Sequence, residues 1–200
     1  MRPRVADLAI FALLITPLLV LGAQKKEYFT EDELDTIRDA QEIALRVPAY
    51  FKLAERRLVF LGLMEKNEKE KEKERKAQEQ YEKEKKKAGD KAASVKPPKD
   101  EMAYLADFTR SELLRGYIQT LDEVMSNIDD AYSRKQDVRD ALEELEKFSR
   151  ETLPVVEKFQ PKSDNEKLAK AEAAEKAREA LEGAKEALTK VPKTEKKKKN

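Results

Sequence analysis

Two hundred residues carry 42 Lys or Arg against 41 Asp or Glu, with no Cys, His or Trp. The near-neutral balance argues against nucleic acid as the main partner, because phosphate binding draws on a net basic face. The missing residue types exclude disulfides, thiolate and Ser-His-Asp catalysis, and imidazole-ligated zinc or di-iron centres.

Residues 1–23 have the order of a secretory signal peptide. Arg2 and Arg4 precede an apolar run from Leu8 to Ala23 that only Thr16 and Pro17 interrupt, and Gly22-Ala23 closes it. The run falls short of the roughly 20 residues a spanning helix needs. Cleavage after Gly22 or Ala23, with Sec-type export to the periplasm or medium, is the expectation; an uncleaved anchor is the alternative.

Residues 24–64 form a first helical arm. Thr30-Glu31-Asp32-Glu33 is a capping-box sequence. Leu34, Ile37, Ala40, Ala44, Val47, Phe51, Ala54, Leu58 and Leu61 then recur at helical spacing. Pro48 is expected to kink this helix or to sit in the first turn of a second one.

Residues 65–99 change character. Lys and Glu dominate 65–88, and Tyr81 is the one large apolar side chain there. Glu-to-Lys pairs four apart support a helix, but one with nothing to bury. Gly89 to Lys99, with Pro97-Pro98, reads as a linker. The whole stretch is a charged helical or disordered excursion.

Residues 100–153 read as one very long helix, capped by Asp100 and ended before Pro154. Leu114, Leu121, Ile128 and Leu142 share one heptad position, while Tyr117, Val124, Ala131, Val138 and Leu145 share the other. Lys135 alone breaks the stripe. Residues 154–190 supply a last helix, opened by Ser163-Asp164-Asn165-Glu166 and faced by Ala174, Ala177, Leu181, Ala184 and Leu188. Small side chains bury little area, so this helix is expected to be the least stable. Residues 191–200 form a disordered Lys-rich tail.

The fold class is therefore all-α: an antiparallel three- or four-helix bundle with one very long helix, the charged excursion and the basic tail. A simple hairpin would set Leu105, Phe108, Leu113 and Leu114 against Lys and Glu, forfeiting about 1.5–3 kcal/mol per side chain. Residues 34–64 are expected instead to pack antiparallel on roughly 101–134, with 66–99 looping outward.

Glu123, Asp130, Asp137, Glu144 and Glu151 fall at heptad intervals and would form one negative band along the long helix. The band is a candidate partner-binding surface, beside the plainer reading of a solvated helix face. Carboxylates one turn apart on a rigid helix cannot wrap a calcium ion, and the residues point to no cofactor, metal or small-molecule substrate. Membrane contact is expected only through an uncleaved signal or weakly through the Lys tail.

Residues 30–58 (TEDELDTIRDAQEIALRVPAYFKLAERRL) and 117–148 (YIQTLDEVMSNIDDAYSRKQDVRDALEELEKF) resemble uncharacterised exported helical proteins of bacteria. The resemblance implies a bacterial-envelope setting and a variable insertion at 65–99, and it carries no activity. The composition is also similar to that of Skp-like periplasmic chaperones, whose β-rich assembly body has no counterpart here. The leading expectation is a non-enzymatic scaffold or binding protein that acts through a protein partner or self-association. A holdase-type chaperone is the alternative, and a carboxylate-based hydrolase comes from another class.

Overall fold

Thr30 opens the helical body as its sequence predicts. Its side chain accepts from Glu33 N at 3.3 Å while the Glu33 carboxylate accepts from Thr30 N at 3.0 Å, closing the capping box of α1 (Glu31–Asp39). The computed structural model describes residues 28–88, 95–98 and 100–192. The signal-peptide reading, most of the 89–99 linker and nearly all of the 191–200 tail lie outside the described residues.

The described residues form six α-helices and one 3-10 turn, with no strand among them. They are α1, α2 (Ile43–Phe60), α3 (Glu68–Ala88), a 3-10 turn at Ala103–Asp107, α4 (Arg110–Ser133), α5 (Arg139–Glu157) and α6 (Asp164–Lys190). The all-helical class stands. Several of its finer features need correcting.

The first arm does not break at Pro48. It breaks at 40–42, and Pro48 sits inside α2. The Ala40 carbonyl, turned out of the helix, accepts instead from Arg46 Nε at 2.8 Å.

The long helix is two helices. Asp100 only opens a turn, accepting from Met102 N at 2.9 Å. Thr109 and Glu112 form the capping box that starts α4. A turn at 134–138 then separates α4 from α5, with Lys135 at φ 61°. Gln136 N donates to Ala131 O at 3.0 Å and Lys135 N to Tyr132 O at 2.8 Å, the bonds of a Schellman stop. Pro154 lies within α5 rather than past its end.

Contacts between helices fix their directions. Arg46 Nη1 donates to Asn127 Oδ1 at 3.0 Å, and Arg57 lies against Gly116, so α2 runs antiparallel to α4. The apolar pattern predicted this antiparallel pairing, though with residue 46 several positions nearer the start of α4 than Asn127. Glu157–Arg178 at 2.9 Å and Arg139 Nη1 donating to Val191 O at 2.8 Å run α6 against α5. Arg110–Glu166 and Asp122–Lys176 run α6 alongside α4 in the same direction, so the packing is not wholly antiparallel.

The core joins Val47, Phe51, Leu58, Leu114, Tyr117, Leu121, Leu145, Phe148 and Phe159 to the alanine face of α6. Phe51 and Phe148 stack with centroids 4.2 Å apart, and the Tyr117 hydroxyl meets Thr152 Oγ1 at 2.7 Å. Ala169, Ala173, Ala177 and Ala180 are fully covered, because small side chains let α6 lie close to both α4 and α5. The excursion is helical over Glu68–Ala88, and α3 buries none of its residues.

One charge pair lies inside this core. Arg57 and Glu33 are 1% and 3% exposed and meet in two parallel bonds of 2.8 Å. Arg57 also donates to Tyr28 O and Leu53 O, and Tyr104 Oη donates to Glu33 Oε1 at 2.6 Å. The pair thus fastens the 28–30 segment, α1 and the 3-10 turn to α2. Burial pushes the Glu33 carboxyl up, but the Arg57 bonds and charge, with Tyr104 and the Thr30 amide, outweigh it and hold the group below the usual range.

Candidate functional site

The five band residues do not share one helix face. Glu123 and Asp130 lie on α4, Asp137 in the turn, and Glu144 and Glu151 on α5. Asp130 pairs with Arg134, and Asp137 Oδ1 accepts from Arg139 N at 3.1 Å. The turn at 134–138 ends the negative band because a heptad register continues on one face only while the helix itself continues.

Glu144 and Glu151 are instead gathered into a groove between α2, α3 and α5, of about 540 Å³. Its apolar floor is Pro48 with the stacked Phe51 and Phe148. Glu55 and Glu70 join the two α5 carboxylates, and Lys52, Lys69, Lys73 and Lys147 interleave with them. Burial raises the Glu55 carboxyl, and the charges of Glu70 and Glu151 add to the rise. Burial also raises Glu144, helped by Asp140. Both carboxyls take a proton more readily than an exposed glutamate does.

The wall of this groove is α3, and its attachment is ionic. Lys52 reaches Glu70 at 4.0 Å, while Lys73 and Arg56 both pair with Glu101 in the chain returning from the excursion. The Lys73 hydrogen bond, against partial burial, holds the Glu101 carboxyl low. A second open groove of about 560 Å³ runs between α3 and Pro98, Asp100, Glu101 and Met102.

The arrangement provides an apolar strip edged by alternating charges, which suits a segment of another chain better than a small neutral molecule. Among the described residues, no group of three or more acidic side chains is placed to hold a metal ion. No described helix is long and apolar enough to cross a membrane. The acidic heptads singled out Glu144 and Glu151, as members of a band on one helix face rather than of a groove. The contributions of Glu55 and Glu70 were not legible, since they depend on how α3 folds back across α2. No protein-family model, curated protein or solved structure matches the chain.

Proposed function

We propose that this is an exported helical scaffold or binding protein of the bacterial periplasm or envelope, acting through a protein partner held along α3 and the groove beside it. One observation carries the reading. None of the 21 residues of α3 is buried, yet ion pairs at Lys52, Lys73 and Glu101 hold it as the wall of a groove with an aromatic floor. A helix that adds nothing to the core is available for another molecule. The basic, apolar, small-residue order of residues 1–23 supports export.

The chaperone reading has less support. The exposed large apolar residues Leu45, Phe60, Tyr132 and Leu168 are spread over α2, α4 and α6 rather than gathered into one client surface. The hydrolase reading rests on the raised Glu55 carboxyl, beside which four lysines line the same groove.

A photo-crosslinking residue placed at Glu74 on α3, with one at Glu182 on the exposed side of α6 as comparison, tests the proposal in the native host. A discrete partner captured from position 74 and not from 182 is the expected result. Capture of many unrelated proteins would favour the chaperone, and products formed only with itself would make the protein a homo-oligomer. No product from position 74 would sink the α3 proposal.

A further inference from the structure

The two interruptions that the apolar pattern did not predict meet in space. The break at 40–42 and the turn at 134–138 lie at one end of the α2–α4 pair and flank a cleft of about 390 Å³. Among the described residues its charged lining is entirely cationic: Arg38, Arg46 and Arg134, joined by the amide side chains of Gln41, Asn127 and Gln136.

Arg46 is the fixed member. Its Nε donates to Ala40 O at 2.8 Å and its Nη1 to Asn127 Oδ1 at 3.0 Å. Asn127 is itself held, its Nδ2 donating to Glu123 O at 2.7 Å. No described carboxylate lies within ion-pair distance of Arg46. A guanidinium has five N–H donors, so those two bonds leave donors for a ligand.

Arg38 and Arg134 pair with Asp35 and Asp130, all of them exposed. Exposed pairs of this kind are weak and exchange readily for a better acceptor. The start of α2 adds to the field. Ile43 lines the cleft, and the cap residue Glu42 makes no side-chain cap hydrogen bond; the Leu45 amide is taken by Glu42 O at 2.9 Å, so the positive end of the helix meets the cleft at Ile43.

We propose that this cleft binds a phosphoryl oxyanion, either free phosphate or the terminal group of a phosphate monoester. Arg46 is the pre-set donor, and Arg38 and Arg134 close on the anion from either side. Planar guanidinium groups match pairs of phosphoryl oxygens, and the volume lies at the lower end of small-molecule pockets, about 300–1,000 Å³.

The test is an NMR titration of the full chain with sodium phosphate and, separately, with glycerol 3-phosphate, against sodium chloride at matched ionic strength. A saturating shift of the Arg46 Nε–H and the Ile43 amide that chloride does not reproduce is expected. Tighter saturation by glycerol 3-phosphate identifies a monoester ligand, and equal saturation identifies the free ion. Arg46→Gln is expected to weaken binding at least tenfold. Should that variant fail to fold, Gln136→Glu, an exposed change that sets a carboxylate beside the cleft, is expected to weaken it by a similar factor. Shifts that never saturate, that chloride matches, or that Gln136→Glu leaves unaltered would overturn the proposal.

Discussion

Helices α3 and α6 are built from nearly the same alphabet, Lys, Glu and Ala, and meet opposite fates. The 27 residues of α6 cover Ala169, Ala173, Ala174, Ala177, Ala180, Leu181 and Ala184 against α4 and α5; the 21 residues of α3 cover none. Helix propensity does not separate them, because these residue types all favour helix. What separates them is a stripe of small apolar residues at helical period, which lets one charged helix dock while the other is carried only by ion pairs. Small size, which suggested low stability for α6, is what permits its close approach.

The contrast extends to charge, and there the largest effect is expected. Arg57→Met leaves the Glu33 carboxylate buried without its cation and should cost about 3–5 kcal/mol at neutral pH in urea unfolding. Arg75→Met on α3 breaks its surface pairs with Glu72 and Glu79 and should leave the urea midpoint almost where it was, because both pairs are open to solvent. The pH dependence sharpens the test. Glu33 is held below the ordinary carboxylate range in the folded protein, so it contributes stability above that range and loses it as pH falls through the folded value. Without Arg57, burial dominates and the carboxyl rises, so the variant regains stability on acidification. The gap between the two proteins should therefore narrow from pH 7 toward about pH 3. A gap that does not change with pH would assign the pair no electrostatic role.

A smaller effect separates the two helix faces directly. Ala177→Leu forces three extra carbons into a fully covered site and should cost about 1–3 kcal/mol. Ala77→Leu on α3 should change stability by no more than about 0.5 kcal/mol. Equal costs, read from the two denaturation midpoints, would show that α3 is as closely packed as α6.

The smallest effect concerns how helices stop. Gly62 and Lys135 both sit at positive φ, 72° and 61°, after α2 and α4, and each is followed by a bond back across the last turn. Glycine adopts this conformation without a Cβ penalty; lysine does not. Lys135→Gly should stabilise the protein by up to about 1 kcal/mol in thermal or urea unfolding. A loss of stability would mean that the lysine side chain makes a contact worth more than the backbone strain.

Much of the fold was legible because its signals are local. The capping box at Thr30, the cap at Ser163, and the antiparallel pairing of α2 with α4 all follow from spacing and from what must be kept out of water. The turn at 134–138 was hidden because Ala131 and Val138 keep their seven-residue spacing across it, and no Gly or Pro marks it. Lys135, the one residue that broke the stripe, was the signal. Thr109-Arg110-Ser111-Glu112 carries the same capping grammar as residues 30–33, but Leu105 upstream extended the apolar pattern and drew the helix start back to Asp100. The Arg57–Glu33 pair could not be read from the chain at all. Glu33 already had a local role, and nothing within four residues of Arg57 points to a carboxylate 24 positions away.

The close approach of Arg57 to Gly116 has a consequence for how this sequence can vary. A Cβ at position 116 would collide with Arg57 Nε, so this glycine supplies room rather than backbone freedom. Room for a larger residue at 116 therefore has to come from a shorter side chain at 57, and shortening residue 57 leaves the Glu33 carboxylate buried without its cation unless residue 33 changes with it.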